Sequence, residues 1–202
     1  MHTFIKTAFV SVALFSEVLF AQSLDHLKDW MEGLVEDGVV VGCMAQVTKD
    51  GETVFLEAVG GRAPNADDAL KTSQVVRIYS MTKAIVSVAT MQLVEQGKLG
   101  LDDPVAMYLP QFAEMQVWEN GKLRPAKKQI TIRELLNHTS GIAYGFTAPP
   151  ELQEQYNKAF AFPKSTDQAA DMIAKLPLLA DPGAANIYGL NTDVLGKVIE
   201  VV

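Results

Sequence analysis

Residues 84–95 read AIVSVATMQLVE, a helical pattern that is apolar on most of its faces. Ile85, Val88, Ala89, Met91 and Val94 lie around it, and Gly97 supplies a stop. A helix apolar on most sides has to be buried, so this segment is expected to sit at the centre of whatever forms around it. Ser80 and Lys83 stand at its start. Residues three apart share a helix face, which brings the lysine amine within reach of the serine hydroxyl. A serine hydroxyl is a weak nucleophile until a base takes its proton. An amine does so only when neutral, and burial lowers a lysine pKa. The helix N-terminus adds partial positive charge and unpaired N–H groups, which suit a developing oxyanion. A Ser-x-x-Lys tetrapeptide alone fits equally a serine cap followed by a surface lysine. The apolar helix behind it argues against a merely solvated lysine.

The 202 residues are 49% apolar and 20% charged, enough for one packed domain. A net charge of −7, with no basic stripe, argues against nucleic acid as a partner. Residues 1–21, MHTFIKTAFVSVALFSEVLFA, read as a secretory signal peptide: Lys6 precedes an apolar run and Ala21 precedes the cut. Glu17 and Leu19 depart from that pattern, and the competing reading is a buried N-terminal helix. The run is too short and broken for a stable membrane span. The expected location is therefore periplasmic or extracellular. Cys43 is the only cysteine, in an alternating apolar segment, and reads as a small core residue. The histidines at 2, 26 and 138 make no zinc-ligand spacing with it, so no metal is expected.

Leu27, Trp30, Met31, Leu34 and Val35 share one helical face, with Ser23 as cap and Gly38 as stop. Two β-rich runs then flank Asp50-Gly51, a strong hairpin signal. Residues 61–74 read as a loop, 101–112 as a turn into a short helix capped by Asp102 or Asp103, and 119–130 as an exposed connection. Thr131 and Glu134 form a capping box for a short helix ending near Asn137. Residues 145–165, with Pro149, Pro150 and Pro163, are expected to be irregular. A helix capped by Thr166 or Asp167 follows, then a turn, then a last helix in TDVLGKVIEVV that has no stop signal.

Three blocks, VVRIYSMTKAIVSVATMQLVEQGKLGLDDPVAMYLPQF, ITIRELLNHTSGI and DPGAANIYGLNTDVLGKVIEVV, resemble the serine β-lactamase-related hydrolases. That group includes class C β-lactamases, D-alanyl-D-alanine carboxypeptidases and family VIII carboxylesterases. The likeness spans about residues 25–202 with the blocks in family order. It implies an α/β fold of the α+β type: a β-lactamase/transpeptidase-like antiparallel sheet flanked by helices, plus a helical subdomain. It implies Ser80 as nucleophile, Lys83 as its partner amine and Tyr188 as the proton-relaying phenol. It implies no cofactor, and a small-molecule ester or amide as substrate. A tyrosine acts as a base near neutrality only beside cations, and Lys83 is the available one.

The chain departs from the class C Tyr-x-Asn pattern, because Leu190 stands at the third position and Asn191 follows it. IYGLNTDVLG resembles instead the Tyr-Ser-x-x-x-Asp-x-Leu-Gly form of the family VIII esterases. Losing the asparagine that binds a substrate amide favours a carboxylesterase over a β-lactamase or a D-amino-acid peptidase. HTSG at 138–141 reads as a structural tie beside the site, not as a Ser140–His138 catalytic pair. Tyr144 is either a pocket wall or a packed aromatic, and Trp30 and Trp118 are read as packing residues. The family's third motif lies on a strand far beyond the tyrosine block, whereas Val202 comes fourteen residues after Tyr188. Residues 22–202 are thus expected to be the N-terminal part of a hydrolase domain, with the C-terminal half missing. A non-catalytic truncated protein is the alternative from another class.

Overall fold

The computed structural model describes residues 24–202, and the expected signal peptide lies outside the described residues. Two compact units divide at Arg77/Ile78. In the first, helix α1 runs to residue 36 and is followed by strands β1 (Gly42–Lys49) and β2 (Glu52–Gly60). The strands pair antiparallel, with Lys49 opposite Glu52. Asp50 and Gly51 both take positive φ, 52° and 86°, as a type I′ hairpin turn requires. Met31 is the buried anchor of α1, and the Cys43 thiol faces its carbonyl oxygen. Trp30 does not pack as expected but lies 60% exposed, outside the buried stripe that Met31 marks.

The second unit is mainly helical. It contains α2 (Thr82–Glu95), a hairpin of β3 (Gln116–Glu119) and β4 (Lys122–Pro125), α3 (Ile132–Leu136), α4 (Pro150–Ala161), α5 (Thr166–Ala174) and α6 (Asn191–Val201). Its core joins Val105, Phe112, Ile130, Ile132, Leu135, Ile142, Tyr156, Leu178, Leu190 and Leu195. Each such side chain contributes about 1.5–3 kcal/mol by leaving water. The buried face of α6, with Val194, Leu195 and Val198, packs against α2, α3 and α5.

Several elements differ from expectation. The segment expected as an exposed connection forms the β3–β4 hairpin, because Asn120 and Gly121 take positive φ, 51° and 79°, and close a tight turn. Leu178 extends this pairing by exchanging backbone hydrogen bonds with Gln116 and Trp118. The stretch expected to be irregular contains α4. Pro150 starts this helix, where its missing N–H costs nothing, and Leu152, Tyr156 and Ala159 form its buried stripe. The cap of α5 is Ser165, whose hydroxyl accepts from the Gln168 N–H, and not Thr166 or Asp167. Residues 105–112 form two 3-10 turns. Asp103 braces them by accepting from the Gly100 N–H and the Tyr108 hydroxyl, while Asp102 pairs with Arg133.

The capping box at α3 forms as expected: Thr131 accepts from the Glu134 N–H and Glu134 accepts from the Thr131 N–H. Helix α2 is buried on one side only. Val86, Leu93 and Val94 pack on the core and Thr90 is fully buried, whereas Ile85 and Val88 are 60% and 61% exposed. The expectation of a fully buried helix therefore fails on that face, which no described residue covers.

Candidate active site

Ser80 sits in a 3-10 turn, Tyr79–Met81, that runs straight into α2. At three residues per turn, positions i and i+3 lie one above the other, so Lys83 stacks directly over Ser80. The Lys83 Nζ lies 3.2 Å from the Ser80 Oγ. Tyr79, just before Ser80, holds a positive φ of 43°, a strained conformation for an aromatic residue. Tyr188 precedes α6, and its hydroxyl lies 3.3 Å from the Ser80 Oγ. The three residues singled out in the sequence, 108 positions apart at the extremes, thus meet at one atom.

A second set of contacts holds Tyr188 in place. The 138–143 segment runs beside residues 179–190, joined by backbone bonds from Leu179 to Gly141, Gly183 to Thr139, Ile187 to His138 and Leu190 to Ala143. Asn191 is fully buried beneath it. Its carboxamide oxygen accepts from the Ser140 hydroxyl, and its NH2 donates to His138 Nδ1 at 2.9 Å. His138 has a φ of 58° and packs its ring 4.8 Å from that of Tyr188. Ser140 and His138 are therefore joined through Asn191, not to each other, and neither bonds Ser80. Sequence reasoning missed this role for Asn191. Its one-place offset from the expected motif position is the signal that could have found it. The Thr147 hydroxyl lies between the carbonyl oxygens of Tyr144 and Tyr188, its Oγ1 3.0 and 3.1 Å from them, and fixes the Tyr144 loop to the tyrosine block.

The electrostatics push the amine and the phenol in opposite directions. Desolvation pulls the Lys83 ammonium down, but the Tyr188 and Tyr144 phenols outweigh it, and the net shift is upward. The expectation of a lowered lysine is thus reversed, because the residue is only half-buried and is surrounded by phenol oxygens. Hydrogen bonding to Lys83, then to Ser80, holds the Tyr188 phenol below its ordinary value of 10.0. Desolvation, then the Lys83 charge, lowers His138 and keeps its ring neutral. The Lys83 Nζ also lies 5.0 Å from the Tyr188 ring centroid and 5.9 Å from that of Tyr144.

These groups open onto a pocket of about 560 Å3. Tyr144 lines it, stacked on Phe146 at 5.1 Å and edge-on to Phe160 at 5.6 Å. Val86, Asn157, Thr192 and Asp193 complete much of the wall. Among the described residues, no His, Cys, Asp and Glu cluster could hold a metal ion, and no helix is long and apolar enough to cross a membrane.

An antiparallel hairpin, a helical unit and a serine placed between an amine and a phenol define a β-lactamase/transpeptidase-like protein. The chain belongs to the beta-lactamase family, whose model, described as Beta-lactamase, matches residues 27–202. It is 31% identical over 161 residues to the monacolin J acid methylbutanoyltransferase of Aspergillus terreus, covering 74% of this chain and 38% of that protein. It is 30% identical over 174 residues to esterase EstB of Burkholderia gladioli, covering 80% of this chain and 41% of that protein. Among solved structures, it resembles EstCE1, a hydrolase with promiscuous acyltransferase activity, with a TM-score of 0.77 and 29% identity over 90% of this chain and 48% of that one. The chain spans about half the length of the curated relatives it matches. These relatives are hydrolases or acyl-transferring enzymes of the same superfamily.

Proposed function

We propose that Ser80 is the nucleophile of a secreted carboxylesterase that works through an acyl-enzyme. The observation that carries this reading is the meeting of the Lys83 amine and the Tyr188 phenol at the Ser80 Oγ, at 3.2 and 3.3 Å. With Lys83 protonated and the phenol lowered, Tyr188 is the base. Its phenolate takes the Ser80 proton as the Oγ attacks the ester carbonyl carbon. The tetrahedral intermediate collapses, the C–O bond to the alcohol breaks, and the Tyr188 phenol returns the proton to the departing alkoxide. Water, deprotonated in the same way, then releases the acid and regenerates Ser80.

Burial of Leu190 and Asn191 disfavours the β-lactamase and D-amino-acid peptidase readings. Leu190 is in the core and the Asn191 carboxamide is spent on Ser140 and His138, so neither offers a substrate amide a partner. A second reading, transfer of the acyl group to an alcohol, is supported by a pocket that carries Tyr144, Phe146 and Phe160 on its wall, and by relatives named as acyltransferases. An alcohol acceptor would then replace water in the second half-reaction.

The test uses the full-length protein with 4-nitrophenyl butyrate and a chromogenic cephalosporin. Turnover of the ester, lost in Ser80→Ala, is expected. Retained ester turnover in Ser80→Ala would refute the assignment, and preferential cleavage of the cephalosporin would move it to β-lactam hydrolysis. Export through residues 1–21 belongs to the same proposal, and N-terminal sequencing of the mature protein checks it.

A further inference from the structure

Asp193 has no part in the chemistry above, yet it opens onto the same pocket from the first turn of α6. Asp193 is itself exposed on this wall, yet its carboxyl is held above the ordinary carboxylate range, through desolvation first, with its own backbone N–H and the Lys83 charge offsetting that. Among the described residues it forms no ion pair, although Lys83 lines the same pocket, and the neighbouring Thr192 hydroxyl bonds no other side chain. Any ligand that fills the pocket strips more water from this carboxylate. A neutral or anionic group would leave the carboxylate with no compensation beyond the Lys83 charge, whereas a cation would add to it. Phe146 and Phe160 stand 74% and 61% exposed on the same lining, and aromatic faces attract cations. Lys83 is already placed at the Ser80 end, over the rings of Tyr188 and Tyr144.

We propose that Asp193 and the aromatic wall form a subsite for a cationic group, so that the preferred ester carries an alkylammonium. The proposal deepens the esterase reading and rests on it for the identity of the reaction, but the binding itself is measurable without turnover. Calorimetric titration of the full-length protein with benzyltrimethylammonium should give one site. Affinity should fall about tenfold in Asp193→Asn, the size expected for one charge pair in a partly screened pocket. Asp193→Glu should retain most of it. Equal affinity in wild type and Asp193→Asn, equal loss in the Asn and Glu variants, or no binding to wild type would overturn the proposal. Failure of the esterase reading shows differently, as absent turnover of 4-nitrophenyl butyrate with cation binding intact.

Discussion

At the residue scale, the division of labour proposed for Lys83 and Tyr188 has a pH signature. On that proposal, the active free form needs a deprotonated Tyr188 and a protonated Lys83. The phenol is lowered from 10.0 and the ammonium raised from 10.5, so the two titrations are pushed apart. We expect kcat/KM to rise as pH climbs through the lowered Tyr188 value and to fall only when Lys83 loses its proton above 10.5. Tyr188→Phe should cost about 10²–10⁴ in kcat and erase the rising limb, which steady-state rates across the pH range would show. That Ser80, Lys83 and Tyr188 meet was legible in the sequence, since each stands in a block with recognisable neighbours. The protonation state of Lys83 was not, because it depends on Tyr144 and Tyr188 arriving from distant positions.

At the element scale, local signals were read well where a side chain closes onto its own backbone and poorly where two signals compete. Thr131 and Glu134 satisfy one another across three residues, so the box at α3 was visible without tertiary knowledge. Pro149 and Pro150 read as breakers, yet Pro150 is the first residue of α4, and only the burial of Leu152, Tyr156 and Ala159 settles which meaning applies. Asn120-Gly121 has the same ambiguity, and pairing of Gln116 with Pro125 decides it in favour of a hairpin. At α5 the cap shifts one place, to Ser165, because its extended φ of −151° aims the hydroxyl at the Gln168 N–H. Ser165→Ala should therefore destabilise the protein by about 1 kcal/mol. Thr166→Ala, which removes a hydroxyl bound to Glu200 on the surface, should cost less. Denaturant melts of the two variants compare them, and equal losses would refute the cap assignment.

At the scale of the whole molecule, Asp181 ties separate parts of the second unit together. Its carboxylate accepts two hydrogen bonds from Arg124 on β4, at 2.8 and 2.9 Å, and one from the Lys127 N–H. The Arg124 guanidinium, followed by that backbone N–H, holds the carboxyl well below the usual range. Such a group stabilises the fold fully above its unfolded value, about 3.9, and loses that contribution as pH falls toward the depressed folded value. Asp181→Asn should lower Tm near neutrality, and its Tm should converge on that of wild type as pH drops below about 4. Parallel curves throughout would show that the charge is not responsible. The knot of Ser140, Asn191 and His138 has a consequence of a different kind. Each of its three members is committed to a partner across some fifty residues of chain, and a change at one leaves a buried polar group stranded at another. Inheritance at these positions should therefore be coupled: lineages that exchange the serine should exchange the asparagine with it, while the pocket wall drifts independently toward new ligands.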